Sequence, residues 1–182
     1  NKEKLIPVQD WLFEIGFDTE IASLLQSLLS EKYTSDAYTL QQENTISLLK
    51  IINKALDNPR TRQRILDRPI LSVFDSYYKL PTHVNNFYWQ TINKLYDNST
   101  KDQLMIYAKE ARNIFINPID SVHMYCTEAL NFMEKYVNSH PELFDSEFVK
   151  SIITLMMQFE NCELFLIEAA NLFITMCKSD KF

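Results

Sequence analysis

The stretch SEFVKSIITLMMQFENCELFLIEAANLFIT, residues 146–175, decides the fold. Its apolar residues recur every three or four positions, the spacing that lines one face of an α-helix. Ser146 is expected to cap a helix over 147–159, and a second helix is expected over 162–177. A helix, a break and a second helix make one unit. The pattern recurs upstream, where segments 70–79 and 103–115 each precede a second helix that carries an asparagine. YWQTINKLY holds Asn93, CTEALNFME holds Asn131, LIEAANLFI holds Asn171, and an earlier stretch, LLKIINKAL, holds Asn53. These asparagines stand 40, 38 and 40 residues apart. Asparagine is a poor helix-interior residue, because its amide competes for backbone hydrogen bonds, so its recurrence in register predicts a shared structural task.

The rest of the chain reads the same way. Helices are expected over 8–15 and 19–32, with Trp11, Leu12 and Ile15 on one stripe, Ile21, Leu24, Leu25, Leu28 and Leu29 on the next, and Gly16 as a cap between them. A longer helix over 37–57 ends at Asp57-Asn58-Pro59, and one or two basic turns follow over 60–66. Pro69 starts the segment over 70–79, Pro81 breaks it, and helices over 82–97, 101–116 and 120–138 follow, the second capped by Ser99 or Thr100.

Composition agrees. A chain of 182 residues with 46% hydrophobic and 23% charged residues carries enough apolar material for a core. It contains a single glycine, Gly16, so folds that need glycines for hairpins, barrels or phosphate loops lose support, and neither the Rossmann fingerprint nor the P-loop can be written. The expected class is all-α. The net charge of -6 disfavours a nucleic-acid backbone as the main partner. Cys126, Cys162 and Cys177 are odd in number and lie in helical stretches, which predicts free thiols and a cytoplasmic or nuclear location. No apolar run reaches the length of a membrane span. The chain starts without Met, and it is expected to be a fragment of a larger protein.

A unit of about 40 residues built only from helices has the period of armadillo and HEAT solenoids. The stretch Trp89-Gln90-Thr91-Ile92-Asn93 resembles the Trp-x-x-x-Asn pattern of the armadillo third helix, and 146–175 resembles the second and third helices of one unit. Leu49, Thr127 and Ile167 occupy the tryptophan position in the other units. The resemblance implies a single right-handed superhelix of armadillo-like repeats over 1–182, with 1–36 as capping helices and 37–178 as about four units. It also implies a protein-interaction module of a scaffold or regulatory protein. In that family the asparagine ladder lines a concave groove and bonds the backbone of an extended peptide, which nominates Trp89 and Asn93 first, then Asn53, Asn131 and Asn171. The alternative at these residues is structural: Trp89 is core and Asn93 bridges neighbouring backbone.

Two other interaction readings stand beside the groove. Arg60, Arg62, Arg64 and Arg68 are four of the chain's five arginines, and their guanidinium forks suit an acidic or phosphorylated ligand; otherwise they form a solvated connection paired with Asp57 and Asp67. The apolar helices from Trp11 to Leu29 suit dimerisation. The aromatic cluster Tyr77, Tyr78, Phe87, Tyr88 and Trp89 fits either an interface or a core. His83, His123 and His140 are scattered without metal-ligand spacing, and no nucleophile elbow can be written without its glycines. The expectation is a non-enzymatic module with no cofactor and no metal.

Overall fold

The computed structural model describes residues 16–30, 39–67, 69–74, 80–118 and 126–181. The expected helix over 8–15 with Trp11, Leu12 and Ile15, and also Arg68, Tyr77, Tyr78 and His123, lie outside the described residues, as does the side chain of Cys126. Among the described residues there are eight α-helices and no strand, so the chain is all-α. They are α1 (Phe17–Ser30), α2 (Leu40–Asp57), α3 (Pro59–Leu66), α4 (Thr82–Leu95), α5 (Lys101–Ile116), α6 (Cys126–Tyr136), α7 (Ser146–Gln158) and α8 (Glu163–Lys178). Short 3-10 turns follow at Pro69–Phe74, Tyr96–Asn98 and Pro141–Leu143. None of the helices is long and apolar enough to cross a membrane. The helices group into two compact units, Asn1–Leu80 and Pro81–Phe182.

In the first unit α1 packs on α2 and on the 3-10 turn Pro69–Phe74, and α3 packs on both α2 and that turn. Ile21, Leu25, Leu29, Ile46, Leu49, Ile52, Leu56, Ile65, Val73 and Phe74 form its core. Gly16 has φ +80° and stands just before α1, where its carbonyl accepts from Thr19 and Glu20. This left-handed conformation is the one that favours glycine. The junction of α2 and α3 is built from local polar chemistry. Asn58 ends α2 and caps α3, accepting from the Arg60 amide at 3.0 Å, and Pro59 fills the first helical position, where no N–H is needed. The last-turn carbonyls of α2 receive two side-chain donors, the Thr61 hydroxyl at Ala55 and the Arg62 Nε at Leu56, the latter at 2.8 Å. Carbonyls of a last turn lack the usual amide four residues on, and these bonds add to the one that the Ala55 carbonyl already accepts from the Asn58 amide at 3.3 Å. Where a helix over 70–79 is expected, the described part is a 3-10 turn that ends at Phe74.

In the second unit α6 lies between α4 and α8, so the three asparagine-bearing helices stand side by side. Helix α5 packs on α6 and α7, and α7 also packs on α8. The core is aromatic: Tyr88, Trp89, Tyr107, Phe115, Phe132, Tyr136, Phe148 and Phe165 are all buried. Thr100 caps α5 through a reciprocal capping box with Gln103. At the start of α7 the cap is Asp145 rather than Ser146, its carboxylate accepting from the Phe148 amide at 2.9 Å. Arg112 of α5 braces this cap. Its Nη2 donates to Asp145 at 2.7 Å and to Glu147 at 3.0 Å, while its Nε donates to the Leu143 carbonyl at 3.1 Å. The Phe148 amide, with help from the Arg112 guanidinium, holds the Asp145 carboxyl below the usual carboxylate range.

Candidate functional site

The asparagine helices of the second unit meet at two joints in one register. At the first, Tyr96, three residues after Asn93, donates its hydroxyl to the carbonyl of Lys135, four residues after Asn131, at 3.1 Å. At the second, Glu134, three residues after Asn131, accepts from the hydroxyl of Thr175, four residues after Asn171, at 2.8 Å. The same two ladder positions therefore fasten α4 to α6 and α6 to α8.

Between them opens a cavity of about 380 Å³ lined by Asn93, Glu128, Asn131, Glu134, Lys135 and Thr175. Its floor is fixed by Asn93, whose Nδ2 donates to the Glu128 carbonyl at 2.8 Å and to the Glu128 carboxylate at 3.1 Å. The Asn93 Oδ1 is buried and accepts no hydrogen bond. Lys135 reaches back, its Nζ donating to the Asn93 carbonyl at 3.3 Å and lying 5.7 Å from the centre of the Tyr96 ring. Asn131 is half-buried in the lining, and its amide bonds to no described residue. The cavity thus presents one uncommitted amide, able to donate and accept at once, and two carboxylates that each use one oxygen inside the protein.

Behind this polar face the first joint is filled by aromatic rings. Trp89 is fully buried, its ring centre 5.9 Å from Tyr88 and 5.7 Å from Phe132. Phe132 also meets Tyr96, Tyr107 and Tyr136, with ring centres 5.5, 6.2 and 6.0 Å away. The Tyr136 hydroxyl is buried without a hydrogen-bond partner, and burial, with the nearby Tyr96 and Glu142 charges, pushes its pKa up to about 12. Burial and Asp97 likewise raise the Tyr96 phenol.

Of the sequence-nominated residues, the fold brings Asn93 and Asn131 to one cavity. Trp89 lies in the core behind it, Asn171 is exposed on α8, and Asn53 is buried in the first unit. Arg60 is exposed on α3, Arg62 and Arg64 are half-buried, and Arg62 is engaged at the end of α2. Among the described residues no group of three or more His, Cys, Asp or Glu side chains is placed to hold a metal. Glu128, Glu134, Lys135 and Thr175 escaped the sequence reading. Three of them stand three or four residues from Asn131, and Thr175 stands four residues from Asn171, so helical spacing alone carries that signal. Compared with family models, with curated proteins and with solved structures, the chain matches none.

Proposed function

We propose that the second unit is a protein-interaction module of armadillo-like or HEAT-like kind, serving a larger scaffold or regulatory protein without catalysis of its own. A partner's extended segment lies across α4, α6 and α8, its backbone bonded by the Asn131 amide. A lysine or arginine of that segment enters the cavity against Glu128 and Glu134. The observation that carries this reading is the cavity itself. An amide without an internal partner and two incompletely used carboxylates stand together on α6, between α4 and α8, and an extended peptide has unpaired donors to offer them.

The test is capture from a cell extract by the wild-type protein beside Asn131→Ala and Glu134→Gln variants, read by mass spectrometry. Both substitutions sit at half-buried positions, so helical circular dichroism and melting are expected to stay close to wild type. A partner that binds wild type and is lost from both variants, and whose binding weakens as salt rises, supports the site. Partners retained equally by all three proteins overturn it.

A further inference from the structure

Helix α8 is apolar on two opposite sides. One side, Phe165, Ala169, Leu172 and Met176, is buried in the second unit. The other carries Leu164, Ile167 and Ile174, which are 59%, 48% and 49% exposed, with Ala170, Asn171 and Cys177 exposed between and beside them. At 3.6 residues per turn the two sets point in opposite directions. A helix that is hydrophobic all round belongs in an interior, and α8 has only half of one. The equivalent ladder positions make the contrast sharper. Four residues and one residue before the asparagine stand Trp89 and Ile92 on α4 and Thr127 and Leu130 on α6, all buried; on α8 they are Ile167 and Ala170, both exposed. Of the nine large apolar side chains exposed among the described residues, five lie on α7 and α8.

We infer that this stripe is a self-association face, occupied by α8 of a second copy of the chain in antiparallel, two-fold packing. The stripe is self-complementary. Leu164, Ile167, Asn171, Ile174 and Lys178 follow the alternating three-and-four spacing of a coiled-coil seam, with one central polar residue of the kind that fixes register. A two-fold axis level with the midpoint between Ala170 and Asn171 leaves the two Asn171 amides about 1.5 Å apart along the helices, near enough for each to donate and accept. The same axis sets Ile167 against the partner's Ile174, and Glu163 against the partner's Lys178, so both end charges meet their opposites. Parallel packing sets like charges together at both ends. The cavity proposed for peptide capture borders this interface, since its α8 contribution, Thr175, stands one turn from Asn171. Sixteen residues of helix span about 24 Å, which places the pair among small interfaces and makes the dimer dissociate on dilution.

The experiment is light scattering and sedimentation equilibrium on the full chain from low micromolar to millimolar concentration. The expected mass rises from 21.5 kDa toward twice that value. Ile167→Glu and Ile174→Glu, at exposed positions where circular dichroism should report an unchanged fold, each weaken association at least tenfold. Leu24→Glu, an exposed apolar position in the first unit, leaves association unchanged. The double variant Ile167→Glu, Ile174→Lys regains the dimer, because antiparallel packing faces each new charge with its opposite. A mass that stays at one chain throughout overturns the inference, as does association indifferent to the α8 substitutions. Failure of the double variant to recover overturns the antiparallel arrangement.

Discussion

The joint between α4 and α6 and the joint between α6 and α8 use the same ladder positions to different ends. At the first, the asparagine is consumed: Asn93 binds the carbonyl and carboxylate of Glu128, three residues before Asn131. At the second, the matching pair is Asn131 and Glu168, and no hydrogen bond joins them. Behind Asn93 stands the buried indole of Trp89, while the same position on α6 is Thr127. A large ring and a locked amide make the first joint a closed one. A small side chain and an uncommitted amide leave the second open to a ligand. Asparagines at matching places on neighbouring helices are thus committed differently, Asn93 to the next helix and Asn131 to no described residue.

The sharpest way to break this contrast is to empty the closed joint. Trp89→Ala removes a fully buried indole packed on Tyr88 and Phe132, and is expected to destabilise the second unit by about 3–5 kcal/mol, read by urea denaturation. A loss below about 1 kcal/mol would show that the joint is not held by its rings. Asn93→Ala acts on the same joint with a smaller expected cost. It removes the donor to Glu128 but also a buried, unsatisfied oxygen, so the net loss is about 1 kcal/mol. Pairing it with Glu128→Ala in a double-mutant cycle isolates the side-chain part of that bond.

Alkaline pH probes the burial of the closed joint without a cavity. The Tyr136 phenol has a folded pKa of about 12 against an ordinary value of 10.0. The unfolded chain therefore loses this proton first. Its contribution to stability is complete below pH about 10 and is lost as pH rises toward 12. Tyr136→Phe should remove that decline. Because the hydroxyl has no partner, the substitution should leave stability at neutral pH unchanged or slightly improved. An unchanged alkaline decline in the variant would assign it to another group, Tyr96 being the next candidate.

Much of the helical framework was legible because its signals are local. The expected helix over 101–116, with Ser99 or Thr100 as its cap, matches the observed α5, Lys101–Ile116, and the cap is Thr100. At α7 two adjacent residues are both good caps, and the one used, Asp145, is also held by Arg112, which is 33 residues away. No local pattern contains that information. The site was half legible for the same reason. The asparagine spacing brought Asn93 and Asn131 into view, yet whether each amide is spent or spare depends on which carboxylate the next helix presents. The bond from Asn93 to Glu128 joins residues 35 apart, and only packing reveals it. Trp89 was drawn toward the groove by its pattern with Asn93, although an indole on that helix can equally well turn inward.

The smallest expected stability effect carries the most information about the open joint. Asn131 bonds to no described residue and stands half-buried at the cavity, so Asn131→Ala should change stability by less than about 0.5 kcal/mol, well under the cost of Asn93→Ala one step along the array. Side-by-side denaturant titrations measure the difference directly. If the two alanine variants cost the same, Asn131 holds a structural bond after all, and the division between a closed and an open joint fails. If Asn131→Ala is silent in folding, an asparagine stands on a helix face where alanine has the better helix propensity. The fold does not require that choice. The peptide capture proposed above gives that amide a use, and the same variant should then fail to bind.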